Sequence, residues 1–282
     1  MSIFESVLRH IAVRAEKVDG DYYEGCILYC GKCHTPKETV LQLGDDTPQI
    51  IARIACKCMN EAEEERIKQE KIDMRRASIE ESIRDLIGLG VARMPKHSFD
   101  ECDNVGEEIQ RRMVKYAENF DEIYDKNIGL ILYGNTGVGK TFFAECIADA
   151  LIKKGRFAWL TSVSGIVNAM AQNYGDNNQY ILNYVRNVDL LILDDLGTER
   201  DTSYMNEKLF EIIDTRYASK RPILVTTNIS PEALMANTSI NVRRIGERLL
   251  ENCVGIEVKG KTRRIEKSKE KISQLKTILG EA

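Results

Sequence analysis

Apolar positions follow two regimes along the chain. Before residue 60 they come in short runs. Ile3, Phe4, Val7, Leu8 and Ile11 fall at helical spacing across residues 2 to about 18, a face that suits packing on its own domain or on a partner helix. Thr39-Val-Leu-Gln-Leu and Ile50-Ile-Ala-Arg-Ile then read as a β-hairpin's worth of chain within residues 22–58. Residues 60–88 read as one long helix. Charges of both signs fill its first half, whereas Ile79, Ile83, Leu86 and Ile87 share a face in its second half. Gly88 and Gly90 stop that helix and Pro95 marks a linker, which divides the chain into residues 1–90 and 91–282.

Beyond the linker the regime changes to apolar runs alternating with amphipathic stretches. A helix over 104–126 uses Ile109, Met113 and Tyr116. Strands are predicted at Leu130–Tyr133, Phe157–Thr161, Asp189–Asp195, Pro222–Asn228 and Val254–Val258. Between them lie a helix carrying Phe142, Ala144, Ile147 and Leu151, one over 163–174, one over 205–219, and shorter ones over 231–236 and 240–252. The polar run 175–179 reads as a loop. This alternation predicts an α/β fold with a parallel, doubly wound sheet.

Composition narrows the partners. A net charge of −4 over 282 residues excludes a chain that binds polyanions along its whole surface, so nucleic-acid contact needs a local patch. The tail from Lys259 to Ala282, with eight basic and three acidic residues, is one such stretch, and a solvated helix is its plainer reading. No run of 18 apolar residues occurs, and Glu5, Arg9, Arg14 and Glu16 do not suit a signal peptide, so a cytoplasmic location is expected.

The chemistry concentrates after the first core strand. Gly134-Asn135-Thr136-Gly137-Val138-Gly139-Lys140-Thr141 fits the phosphate-binding loop G-x4-G-K-[ST], between a strand and a helix. Its glycines allow successive N–H groups to form an anion nest, to which the helix N-terminus adds its dipole. Lys140 is expected on the β/γ-phosphates and the Thr141 hydroxyl on Mg²⁺. Leu190-Leu-Ile-Leu-Asp194-Asp195 is a Walker B element. Its first carboxylate, Asp194, is expected to hold Mg²⁺, and Asp195 to orient or deprotonate the attacking water. Asn228, just after Ile223-Leu-Val-Thr-Thr, suits a hydrogen bond to the γ-phosphate or that water.

Five of the eight cysteines cluster early. Cys30-x2-Cys33 and Cys56-x-Cys58, separated by a hairpin's length of chain, suit tetrahedral Zn²⁺, with Cys26 and His34 as substitute ligands. So small a segment buries little apolar surface, and a metal staples it. No thioredoxin-like pattern surrounds the first pair, which argues against a redox role.

The order GNTGVGKT, LLILDD, ILVTTN and an Arg-bearing helix resembles AAA+ P-loop ATPases, and more closely the DnaC/DnaI-type replicative helicase loaders of bacteria and phages, within the IstB-like ATP-binding family. The matching pieces are Met94–Phe99, Ala117–Phe120, Leu130–Thr141, Leu193–Glu199 and Gly260–Arg264, so the resemblance covers about residues 90–265. It implies binding of ATP and Mg²⁺, slow hydrolysis, contact with single-stranded DNA, and a homo-oligomer formed through the ATPase domains. The zinc-ribbon-like N-terminus is similar to loaders in which that part grips the helicase. Many AAA+ enzymes carry Glu where this chain has Asp195, so fast turnover is not expected, and Glu199 is an assisting candidate. Arg243, Arg244 and Arg248 share a helix. The family pattern favours Arg248 as the arginine finger, against a plain surface role, and Arg263 or Arg264 as a second sensor. A transposition ATPase of the IstB type and a zinc-containing adaptor with little hydrolysis are the other readings. The metal module favours the loader.

Overall fold

The computed structural model describes residues 13–42, 49–102, 107–172, 176–197, 202–236, 240–260, 271–273 and 275–279. Glu199, Arg263, Arg264 and most of the expected N-terminal helix lie outside them. Residues 13–18 are not helical: Arg14 there forks onto Glu38, with its Nε and Nη2 at 3.2 and 3.1 Å from the two carboxylate oxygens.

The chain forms two compact units, residues 1–73 and 74–282. That division falls inside a helix that runs from Lys57 to Gly88. Glycine and proline mark where that helix ends, but its second half is already committed to the second unit's core through Ile79, Ile83 and Leu86. In the first unit, β1 (Tyr22–Glu24) pairs antiparallel with β2 (Ile27–Tyr29), and β3 (Glu38–Leu41) with β4 (Ile50–Arg53). Helix α1 (Lys57–Gly88) then begins early enough to take Cys58 into its first turn.

The second unit has at its centre a five-stranded parallel sheet in the order β6-β7-β8-β5-β9. The strands are β5 (Gly129–Tyr133), β6 (Ala158–Ser162), β7 (Leu190–Leu196), β8 (Ile223–Thr227) and β9 (Cys253–Glu257). Because strand side chains alternate, the two sheet faces build two cores. Leu130, Leu132, Leu190, Ile192 and Leu224 meet α1, α2 (Glu107–Glu118) and α4 (Lys140–Lys153). Ile131, Trp159, Leu191, Leu193 and Val225 meet α5 (Val163–Gln172), α6 (Asp176–Asn187), α7 (Ser203–Ala218) and α9 (Ile240–Asn252). α8 (Pro231–Met235) is a short link.

Two further expectations change. The helix expected over 104–126 is two helices, α2 and α3 (Phe120–Asp125), separated at Asn119, whose side chain donates to Lys115 O and competes with the helical ladder. Of the loop expected over 175–179, residues 176–179 instead open α6, and residue 175 lies outside the described residues. The polar start of α6 hides a helical set of buried residues, Ile181, Leu182 and Val185, ahead of buried Val188.

One buried cation ties the sheet's lower edge together. Arg216, 1% exposed, donates to the carbonyls of Val185, Val188, Asp189 and Pro222. Burial draws its pKa down to about 9.

Candidate nucleotide site and thiolate cluster

The nucleotide site forms where β5, β7 and β8 end, the edge at which ligands bind in such sheets. Gly134, Gly137 and Gly139 all hold positive φ, and a Cβ at Gly134 would stand 2.5 Å from Val258 O. The loop's conformation therefore needs glycine at positions the sequence supplies. Asn135, Thr136 and Val138 complete its turn, and Val138 is buried. Lys140, 5% exposed, folds back along the loop. Its Nζ donates to Gly134 O, Asn135 O and Asn228 Oδ1 at 2.9, 2.8 and 2.8 Å.

The Walker B strand brings Asp194 to the same place. Its Oδ1 accepts from the hydroxyls of Thr141, at 2.9 Å, and Thr226, at 2.6 Å. A threonine hydroxyl and a carboxylate side by side at the phosphate loop are hard oxygen donors of the kind Mg²⁺ takes, so this pair fits that ion. Asp195 follows at φ +59°, where the β7–β8 register shifts, and it is exposed while Asp194 is buried. The Asp195 backbone N–H donates to Thr226 Oγ1 at 2.9 Å. One residue of irregular backbone thus turns the second carboxylate away from the first.

Lys140, Thr141, Asp194 and Asn228 are brought together, but Arg248 is not. It lies on α9 against α7, 2.7 Å from Asp214 and stacked over Tyr217 and Phe210 at 4.8 and 5.3 Å from the ring centroids. Arg244 also covers Phe210, and Arg243 pairs with Glu247 on its own helix.

Sequence reasoning missed three side chains here: Thr226, Glu145 and Arg93. Thr226 was legible only as part of an apolar strand. Glu145 is buried on α4, and Arg93 sits in what reads as linker.

In the N-terminal unit the sulfurs of Cys30, Cys33, Cys56 and Cys58 lie within 4.8 Å of one another, with Cys30–Cys58 at 3.6 Å and Cys56–Cys58 at 3.5 Å. Sulfurs on a tetrahedron with ~2.3 Å metal bonds would stand ~3.8 Å apart, so the donor set and spacing fit Zn²⁺. The Thr35 hydroxyl, which accepts from Lys57 N–H and so can turn its own proton to sulfur, draws the Cys33 thiol down to about 5. Its three thiol neighbours push Cys58 up to about 12. Cys26 and His34 stand outside the set.

The comparisons agree with this geometry. Residues 61–271 match the family model of the IstB-like ATP binding protein. The chain belongs to the IstB-like ATP-binding family. It is 29% identical over 163 residues to the replicative helicase loader DnaC of Escherichia coli, covering 56% of this chain and 64% of that protein. It is 28% identical over 181 residues to the replicative helicase loader DnaI of Bacillus subtilis, covering 59% and 58%. The chain thus spans less than two thirds of the length of either relative. A crystal structure of DnaI superposes with a TM-score of 0.50 at 26% identity, over 60% of this chain and 90% of that one. The crystal structure of the DnaC helicase loader does so with a TM-score of 0.51 at 24% identity, over 57% and 96%, a likeness of fold. The second unit is therefore an AAA+ P-loop domain. Among the described residues no helix is long and apolar enough to cross a membrane.

Proposed function

We propose that this protein is an ATP-dependent loader that places the replicative DNA helicase on single-stranded DNA. The observation that carries the reading is one site in which Lys140, Thr141, Asp194 and Asn228 converge at the phosphate loop, in a chain that also gathers four thiols into a metal-type cluster. Its likeness to DnaC and DnaI supplies the partner.

In this reading the phosphate loop and Lys140 bind the triphosphate, while Thr141 and Asp194 hold Mg²⁺. When bound, that ion neutralises phosphate charge. Asp195, exposed beside the site, orients the lytic water and takes its proton, and Asn228 holds Lys140 toward the phosphates. Hydrolysis is slow, because the Asp195 carboxylate reaches less far than a glutamate would. ATP favours an oligomer built through the ATPase domains, whose inner face contacts DNA phosphates. The N-terminal part, expected as residues 1–90 and stapled by Zn²⁺, grips the helicase.

The test uses the full-length chain and a replicative helicase, with and without ATP and Mg²⁺, scored by co-elution and by helicase delivered to circular single-stranded DNA. ATP-dependent delivery is the expected result. Binding to a transposase but not to helicase would move the protein to the transposition ATPases. Helicase binding without delivery or turnover would make it an adaptor.

A further inference from the structure

The segment between α1 and the first core helix reads in the sequence as a linker, but it is stitched to the core. Trp159 Nε1–H donates to Val91 O at 2.9 Å, and Arg93 N–H donates to Leu160 O at 3.1 Å. Lys96 N–H donates to Glu145 Oε2 at 3.2 Å. Residues 91–96 therefore run as a strap beside β6, one of the two edge strands of the sheet.

From this strap one side chain reaches the nucleotide site. Arg93 Nη2 lies 2.5 Å from Asp194 Oδ2, and Nη1 lies 3.3 Å from Glu145 Oε1. Both carboxylates are buried, Asp194 at 6% and Glu145 at 3% exposure. Two buried negative charges around one cation need that cation, since removing it leaves them repelling one another in a poor solvent. A guanidinium suits the task because it is always charged and its fork serves two acceptors at once.

The geometry at Asp194 divides its two oxygens. Oδ1 is held by the Thr141 and Thr226 hydroxyls, and Oδ2 by Arg93. The oxygen beside Thr141 is the one on the expected Mg²⁺ side. We propose that Arg93 is a positioning residue of the nucleotide site: it fixes the second oxygen of Asp194, so that the first meets Mg²⁺ in a set orientation, and Glu145 fixes Arg93 in turn. The inference rests on the nucleotide reading above and adds to it a residue from the strap.

The test is a Mg²⁺ titration of full-length wild type, Arg93→Ala and Arg93→Lys, each with a fluorescent ATP analogue. The intrinsic emission of Trp159, the sole tryptophan of the chain, is read in parallel. Partners one step removed from a metal are worth about 10- to 100-fold in metal affinity. Arg93→Ala is therefore expected to need about tenfold or more Mg²⁺ for half-saturation, with nucleotide affinity in EDTA unchanged and kcat reduced. Trp159 emission should not move, because the backbone bonds of the strap do not use the guanidinium. Arg93→Lys keeps the charge but not the fork and should recover most of the loss. Should Arg93→Ala fail to fold, Arg93→Met, which keeps the aliphatic stem, carries the same expectation.

An unchanged Mg²⁺ requirement would overturn the inference. So would a lower one, which would make Arg93 a competitor of the metal. A shift in Trp159 emission with the loss would mark a merely structural role. A wild type that bound no nucleotide would instead overturn the nucleotide reading itself, and this inference with it.

Discussion

Lys140 and Asn228, one from the phosphate loop and one from the end of β8, are joined by a 2.8 Å hydrogen bond from Nζ to Oδ1. The contact makes Asn228 a holder of the lysine as well as a candidate for touching phosphate. Lys140→Ala is expected to abolish productive ATP binding, since it removes the loop's own ammonium. Asn228→Ala should leave binding measurable and lower turnover by about tenfold, the equivalent of one charge-assisted hydrogen bond of about 1.5 kcal/mol. Fluorescent-nucleotide binding together with phosphate release separates the two. Equal loss of binding in both variants would show that Asn228 acts on affinity alone.

Asp195 offers a cleaner separation of charge from shape. Its backbone holds φ +59°, a conformation that Asp and Asn tolerate better than other side chains with a Cβ. Asp195→Asn therefore keeps the turn and removes only the carboxylate charge. Nucleotide and Mg²⁺ binding should survive while hydrolysis falls by about 10²-fold or more, the usual worth of a positioned base. Wild-type phosphate release from this variant would assign the base elsewhere. Asp195→Glu should not speed turnover freely, because glutamate fits that backbone less well.

These residues were legible because phosphate chemistry dictates residue type and spacing along one short segment. Gly134 to Thr141 and Asp194-Asp195 could be placed without knowing the fold, and the strand alternation around them predicted the sheet. What escaped was set by distant chain. Arg93 acquires meaning only through Asp194 and Glu145, and Thr226 only through Asp194. The start of α6 escaped because Asp176-Asn-Asn-Gln179 is turn-like by composition, while Ile181, Leu182 and Val185 behind it form part of the core. The boundary expected at residues 90–91 rests on glycine and proline, a punctuation signal that ends a helix without saying which core the helix serves.

The thiolate cluster leads to a measurement on the purified protein. One Zn²⁺ per chain is expected by elemental analysis under non-chelating conditions. Cys30→Ser should release it and loosen the first unit, because a segment of two short hairpins has little else to order it. The thermal transition of the second unit, read from Trp159, should stay near its wild-type position. Protein free of zinc yet ordered through residues 22–58 would remove the metal from the account.

Asp21 gives the first unit a pH dependence. Its carboxylate accepts from Lys37 Nζ at 2.6 Å, from Val18 N–H at 3.0 Å, and from the N–H of Gly31, inside the Cys30–Cys33 turn, at 2.9 Å. The Lys37 hydrogen bond, helped by those two amides, holds its pKa down at about 2. An unfolded aspartate titrates near ~3.9. The folded value is the lower one, so the contribution is fully present above about pH 4 and is lost as pH falls through about 2. Hydrogen exchange at the Gly31 amide, compared between wild type and Asp21→Asn, should differ most near neutral pH and converge toward pH 2. A difference that grew on acidification would reverse the assignment.

Arg248 carries the oligomer part of the proposal. In its own chain it is engaged by Asp214 at 2.7 Å and by the faces of Tyr217 and Phe210, and it remains about a third exposed, at 31%. That arrangement holds a guanidinium ready at the surface instead of spending it on its own phosphate loop. A neighbouring subunit's γ-phosphate would replace Asp214 as the anion, and guanidinium geometry suits either partner. Arg248→Ala is expected to leave ATP affinity and helicase binding near wild type while DNA-stimulated hydrolysis falls by about 10³-fold or more, as for other arginine fingers. Mixing Arg248→Ala with Lys140→Ala chains supplies the decisive arm. Each variant alone should be inactive, yet mixed oligomers would contain subunit pairs in which an intact Arg248 faces an intact phosphate loop, and part of the turnover should return. No recovery on mixing, or normal hydrolysis by Arg248→Ala with loss in Arg243→Ala or Arg244→Ala, would move the finger to another arginine of the same helix.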